Sequence, residues 1–177
     1  DSVQIQADKA DTHTEISAEQ VRELPLPGFR NYQSLMNLVP GATPAVFQNS
    51  ITDSPGRSLQ VNVNGANRNT NVTRIDGAAS VNLWLPHHVG YVMPAEMIET
   101  VNFTTTASDA EQGMAGGASV TLITKSGTND LRGVVFCYAA SNKLPSKDFF
   151  VKQGGLPKPR TTKREWGGVV GGPIVKN

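Results

Sequence analysis

Apolar and polar residues alternate along Leu59, Val61 and Val63, along Val101-Asn-Phe-Thr-Thr105 and along Val120-Thr-Leu-Ile-Thr124. Each run predicts a strand with one buried face. Val72-Thr-Arg-Ile75 follows the turn chemistry of Gly65-Ala-Asn-Arg-Asn-Thr70 and ends in the turn pair Asp76-Gly77, so residues 59–63 and 72–75 are expected to be neighbouring strands. Val3 and Ile5 alternate with polar neighbours and predict a short strand in residues 2–7. A helix start lies at Ser17, with Gln20 placed to close a capping box and Ile16 to staple onto Val21; Pro25 and Pro27 stop it. Tyr32, Leu35, Met36 and Val39 fall at helical spacing before Pro40-Gly41, and Pro94-Ala-Glu-Met-Ile98 predicts a further short helix. Residues 42–57 and 78–91 carry no period and predict long loops. The sum is an α+β domain with a small mixed four-stranded sheet and short helices, ending near Lys125.

Beyond Asn129 the pattern changes. Residues 131–140 alternate small and large side chains over about ten positions, and Trp166-Gly-Gly-Val-Val-Gly-Gly-Pro173 begins a second such segment. Strands of about ten residues are the length a transmembrane β-barrel needs. Lys125-Ser-Gly-Thr-Asn129, between the two regions, reads as a linker, which makes 120–124 and 131–140 parts of different structures rather than arms of one hairpin. The open ending after Gly171 leads us to expect a fragment of a longer chain.

Composition narrows the function classes. Hydrophobic residues make up 38% and aromatic residues 6% of the 177, and 17 Gly with 11 Pro indicate a turn-rich chain. A net charge of +1 without basic–aromatic clusters excludes a nucleic-acid binder. The single cysteine, Cys137, excludes an internal disulfide and is expected to be a small buried or lipid-facing hydrophobe. No acid–base or nucleophile constellation is present, so no enzyme is expected. Ser126 beside Lys125 lacks a nucleophile elbow, and Asp76 reads as a turn residue. His87-His88 lacks a carboxylate at ligand spacing, and adjacent side chains are expected to diverge, so neither metal nor cofactor is assigned. Glycines 113, 116 and 117 are expected to allow close approach to a barrel wall, and Asn62, Asn64, Asn67 and Asn69 to form the hydrated polar side of a sheet.

The ordered series Glu23-Leu-Pro-Leu-Pro-Gly-Phe-Arg-Asn31, Leu38-Val-Pro-Gly41, Val63-Asn-Gly-Ala-Asn-Arg68, Ile75-Asp-Gly77, Ala95-Glu-Met-Ile-Glu-Thr-Val101, residues 116–129 and Trp166-Gly-Gly-Val-Val-Gly-Gly-Pro-Ile174 resembles TonB-dependent outer-membrane receptors of the Oar-like subgroup. In that pattern Phe29 interrupts the usual Gly-Arg-Asn signature, and the TonB box is expected upstream of Asp1 or not at all. The resemblance implies an N-terminal segment (1–20), a plug domain (21–127) and the first two strands of a transmembrane β-barrel (128–177). It also implies an outer-membrane location, gated uptake of a large scarce solute such as an oligosaccharide, metal chelate or peptide, and coupling to a TonB complex through a segment outside this chain. The long loops are then expected to sense the extracellular solute, with Phe47, Gln48, Asn49, Trp84, His87 and His88 as candidate contacts. The competing expectation is a soluble or surface-attached β-rich binding or adhesion module.

Overall fold

The computed structural model describes residues 12–24, 26, 30–45, 55–106, 116–141, 146–147, 149–155, 157–158 and 162–174. The strand expected in residues 2–7 lies outside them. The chain divides into two units, Asp1–Lys125 and Ser126–Asn177.

In the first unit, β1 (Thr12–Ser17) runs directly into α1 (Ala18–Glu23). Ser17 makes the expected capping box, its hydroxyl accepting from Gln20 N while Gln20 Oε1 accepts from Ser17 N at 3.0 Å. Tyr32–Leu38 and Ala95–Met97 are 3-10 helices rather than the expected α-helices. The first is capped by Asn31, whose side chain accepts from Gln33 N. Pro40 stands just beyond the first and Pro94 just before the second.

The remaining strands are β2 (Ala42–Pro44), β3 (Val61–Val63), β4 (Val72–Ile75), β5 (Ala78–Ala79), β6 (Ile98–Thr106) and β7 (Ser119–Thr124). The main sheet has five strands, not four, in the order β1-β6-β7-β4-β5; only β4 and β7 pair in parallel. Of the four expected strands β3 lies outside this sheet; the other three are joined by β1, in which His13 to Ile16 extend as far as the cap, and by the two-residue β5. Register builds one apolar row across four strands: Ile16 faces Val101, Val101 faces Leu122, and Leu122 faces Ile75. A shift of register between Ile98 and Thr100 lets Ile98 and Val101, three apart, both be fully buried. Tyr32, Leu35, Met36 and Val39 join these residues in one core, so the expected periodicity survives although the helix type does not.

β3 and β4 are not neighbours. Asn64 (φ 51°) and Gly65 (φ 78°) form a tight turn after β3, and the short 3-10 turn Arg68–Thr70 redirects the chain; β3 pairs instead with β2. Of the asparagines expected on a hydrated face, Asn64, Asn67 and Asn69 are exposed, and the side chains of Asn62, Asn64 and Asn67 also bond to backbone. Asn62 Oδ1 accepts from Arg68 N at 2.9 Å, Asn64 Nδ2 donates to Thr105 O at 3.0 Å, and Asn67 Oδ1 accepts from Asn69 N at 3.1 Å. Gly116 and Gly117 lie against the same turn: a Cβ on Gly117 would sit 2.5 Å from Asn71 Oδ1 and 2.8 Å from Thr70 Oγ1. Their closeness is therefore to the plug-like unit's own backbone and side chains; Gly113 lies outside the described residues.

Asp76 (φ 48°) and Gly77 (φ 83°) make the tight turn between β4 and β5. The Asp76 carboxylate also accepts from Thr124 N at 2.8 Å and from Thr124 Oγ1 at 2.7 Å, locking the end of β7. These bonds, the backbone one first, hold its pKa below the ordinary aspartate value. A depressed folded-state pKa contributes stability that is present above the unfolded value, about 3.9, and is lost as pH falls through the folded one. Melting curves of Asp76→Asn should therefore lack the part of the acid-side loss below about pH 4 that this carboxylate contributes. An acid limb identical to that of the parent chain would disprove the assignment.

In the second unit β8 (Arg132–Ser141) and β9 (Thr162–Gly171) pair antiparallel in unbroken register, with α2 (Phe149–Gln153) between them. No described residue here is buried. Period-two alternation places Val135, Cys137, Trp166 and Val170 on one face, with Val135 90%, Trp166 81% and Val170 77% exposed, and puts Arg164, Ser141 and Thr162 at the end of that face. Arg132, Tyr138, Lys163 and Glu165 share the other face, where the Phe136 ring covers Gly167. Cys137 is exposed on the apolar face, not buried. Ser119–Thr124 pairs with β6 and β4, and Arg132–Ser141 pairs with β9.

Candidate solute-facing loop and its hollow

The loop after β5 is built on a hydrogen-bonded stem. Ser80 N donates to Thr73 O at 2.8 Å, Gly90 N to Ser80 O at 3.0 Å, and Val81 bridges to Val89. At its tip Asn82 Oδ1 accepts from Trp84 N (2.9 Å) and Leu85 N (3.2 Å), while His88 N donates to Leu85 O and Asn82 N to His88 O. This local wrapping leaves Leu83 and Trp84 91% and 92% exposed. Two large apolar side chains held outward by a rigid turn form a ready contact surface.

His87 is half-buried and His88 is buried. Their rings do not diverge: the centroids lie 4.1 Å apart at 60°. Burial is the first cause holding both pKa values below the ordinary histidine value; His88 and Arg68 add to this for His87, and Arg57 and Arg68 for His88. Both rings are therefore neutral at pH 7. Their Nδ1 atoms are buried without hydrogen-bond partners. Among the described residues no three His, Cys, Asp or Glu side chains cluster as metal ligands.

The loop is tied to the segment before β3. Val89 N donates to Gly56 O at 3.0 Å, and a Cβ on Gly56 would sit 2.6 Å from Val89 O. Beside this contact lies an open hollow of about 780 Å³, lined by Arg57, Asn82, His88 and Tyr91 among others. His87 faces a separate small cavity with Arg68 and Gln60. Trp84, His87 and His88 thus share one loop but not one surface: Trp84 is exposed at its tip, His88 lines the hollow and His87 the separate cavity, while Phe47, Gln48 and Asn49 lie outside the described residues. Arg57, Asn82 and Tyr91 were not singled out from the sequence. The one sequence signal is for Arg57: residues 55–92 contain three arginines against one acid, Asp76.

Residues 123–177 match the family described as an outer membrane beta barrel domain. No curated protein matches the chain. Among solved structures, a mutant of the ferric enterobactin receptor of Pseudomonas aeruginosa is similar over 93% of this chain and 22% of its own, with a TM-score of 0.66 and 19% identity. The siderophore receptor PirA of Acinetobacter baumannii is similar over 93% of this chain and 22% of its own, at 0.66 and 22%. The outer membrane transporter YddB of Escherichia coli is similar over 87% of this chain and 23% of its own, at 0.67 and 15%. The chain thus spans under a quarter of the length of each of these proteins, which are receptors and a transporter rather than enzymes. Its fold is the one that outer-membrane receptors and transporters carry in the matched region, a mixed α/β unit followed by the opening strands of an outer-membrane β-barrel domain.

Proposed function

We propose that the chain is the plug, or gate, of a TonB-dependent outer-membrane transporter of the Oar-like subgroup, with the plug in residues 21–127 and the first two barrel strands in 128–177. The observation that carries this reading is the order of two unlike units. A closed α/β core comes first, and then a hairpin of two ten-residue strands with one exposed apolar face and no core of its own. An apolar face on strands of that length suits lipid, and the mixed opposite face suits a barrel lumen.

Gating follows from the plug's construction. The 78–91 loop senses a large scarce solute, an oligosaccharide, metal chelate or peptide, arriving from outside. A TonB complex then pulls on the chain before residue 21. β1 is an edge strand held by one neighbour, β6, so it is the sheet element that such a force peels first.

The test uses the intact protein in vesicles. Brominated lipid should quench Trp166 in a Trp84→Phe variant and leave Trp84 emission unchanged in Trp166→Phe; Cys137 should resist a membrane-impermeant maleimide. Equal quenching of both tryptophans, or a protein that is folded and soluble without detergent, would overturn the reading in favour of a soluble binding module.

A further inference from the structure

Two turns of the first unit share one backbone shape and differ in how their side chains are held. We propose that Asn64-Gly65 is a self-modifying site, at which the Asn64 side-chain amide is lost without an enzyme, while its twin Asp76-Gly77 is held against the equivalent rearrangement. This chemistry is independent of the transporter reading, since it concerns the bonds of one turn.

No other asparagine of the chain is followed by glycine. The nucleophile in amide loss is the backbone nitrogen of the following residue, and a glycine there brings no Cβ to shield it. Asn64 and Gly65 are both exposed, and a Cβ built on Gly65 would meet nothing within 4 Å. Asn64 N donates to Gly41 O at 3.0 Å and Ala66 N to Val63 O at 2.8 Å, so the bonds that close the turn do not engage Gly65 N.

The step balances with water as the one co-reactant. Gly65 N bonds to Asn64 Cγ, the Cγ–Nδ2 bond breaks, and ammonia leaves with the proton that Gly65 N gives up. Water then opens the cyclic imide at either carbonyl, which yields aspartate or isoaspartate. The first product sets a carboxylate against Thr105 O, where Asn64 Nδ2 had donated at 3.0 Å; the second inserts a methylene into the backbone of the turn. Either product unties the turn after β3 from the end of β6.

Magnitude decides whether folding stops the reaction. To reach Gly65 N the side chain must leave Thr105 O, and this bond is exposed. Giving up one exposed neutral hydrogen bond slows ring closure by about tenfold and does not abolish it. Asn71 is the contrasting case, with both amide atoms bonded to backbone and the branched Val72 next in the chain.

Asp76-Gly77 repeats the left-handed pair, at φ 48° and 83°, with an equally open glycine. Its rearrangement starts from the neutral acid, because an ionised carboxylate repels a nucleophile. Thr124 N and Oγ1 each bond one of its oxygens, at 2.8 and 2.7 Å, and so keep the group ionised and in place.

The intact protein is incubated in mildly alkaline buffer, and samples are digested and read by mass spectrometry with separation of isoaspartate. The peptide holding Asn64 should gain the mass that separates acid from amide, as a mixture of both products, ahead of every other asparagine of this chain. A free peptide of residues 61–68 should convert about tenfold faster than the folded protein. Residue 76 should stay unisomerised in the parent, and Thr124→Ala, which removes one of its two bonds, should let isoaspartate appear there. An unchanged Asn64 beside a converting free peptide, equal rates in the folded protein and the free peptide, equal conversion at Asn71, or isoaspartate at residue 76 of the parent as fast as at residue 64 would overturn the proposal.

Discussion

Glu96→Ala should lower the unfolding free energy of the first unit by about 3–5 kcal/mol, because it leaves a nearly buried guanidinium without its counter-charge. Arg30 Nε lies 3.2 Å from Glu96 Oε1, with the two side chains 15% and 5% exposed. Arg30 also donates through Nη2 to Val21 O at 3.1 Å and Arg22 O at 2.9 Å, closing the carbonyl end of α1. The same pair therefore clamps α1 to the 3-10 turn Ala95–Met97 that opens β6. Lys125 completes the clamp from the other side, its Nζ donating to Glu96 O at 2.7 Å and its backbone N to Met97 O at 2.9 Å. Urea unfolding followed by far-ultraviolet circular dichroism measures the loss. Arg30→Ala should cost a similar amount, and the double variant should cost clearly less than the sum of the two. A loss under 1 kcal/mol, or strict additivity, would show that water screens the pair.

Asn71→Ala should cost about 2–4 kcal/mol by the same measurement, since it strands two backbone groups at once. Its Nδ2 donates to Val61 O at 2.8 Å and its Oδ1 accepts from Ala118 N at 3.0 Å, so one amide joins β3 to the start of β7. Gly117 has no room for a side chain because this amide and Thr70 occupy the space. Asn71→Asp keeps the acceptor and loses the donor, and should fall between Ala and the parent. If Asn71→Ala and Asn69→Ala are equally mild, the bridge carries no weight, because Asn69 uses its backbone N–H, not its side chain, in the same turn.

Much of the plug-like unit was legible because its signals are local. Ser17 and Gln20 cap α1 across three residues, and Asp76-Gly77 adopts the positive φ values that such a pair favours. The apolar phase of residues 32–39 marked the buried face even though the segment closed into a 3-10 helix. The Arg30–Glu96 clamp, the Asn71 bridge and the hollow were not legible. Each joins residues far apart in the chain, and an arginine, an asparagine or a glycine looks alike in sequence whether it is solvated or engaged. Trp84, His87 and His88 stood out by residue type. Arg57 joined them only through the Gly56–Val89 contact, which depends on a glycine one position away.

By itself the sequence determined where β3, β4, β6, β7 and the cap of α1 form, since alternation and capping act within a few residues, but not β1, β2 or β5. It also determined that residues 132–141 and 162–171 are long enough for a barrel. Which strands meet was decided by the tertiary structure. The runs 119–124 and 132–141 stand a few polar residues apart and each has the composition to pair with the other. They do not, because β7 is claimed on one edge by β6 through the Val101–Leu122 row and on the other by β4 through Ile75–Leu122, with Asp76 fastening its end. A strand with both edges occupied offers no backbone donors to a newcomer, so β8 takes β9 as its partner.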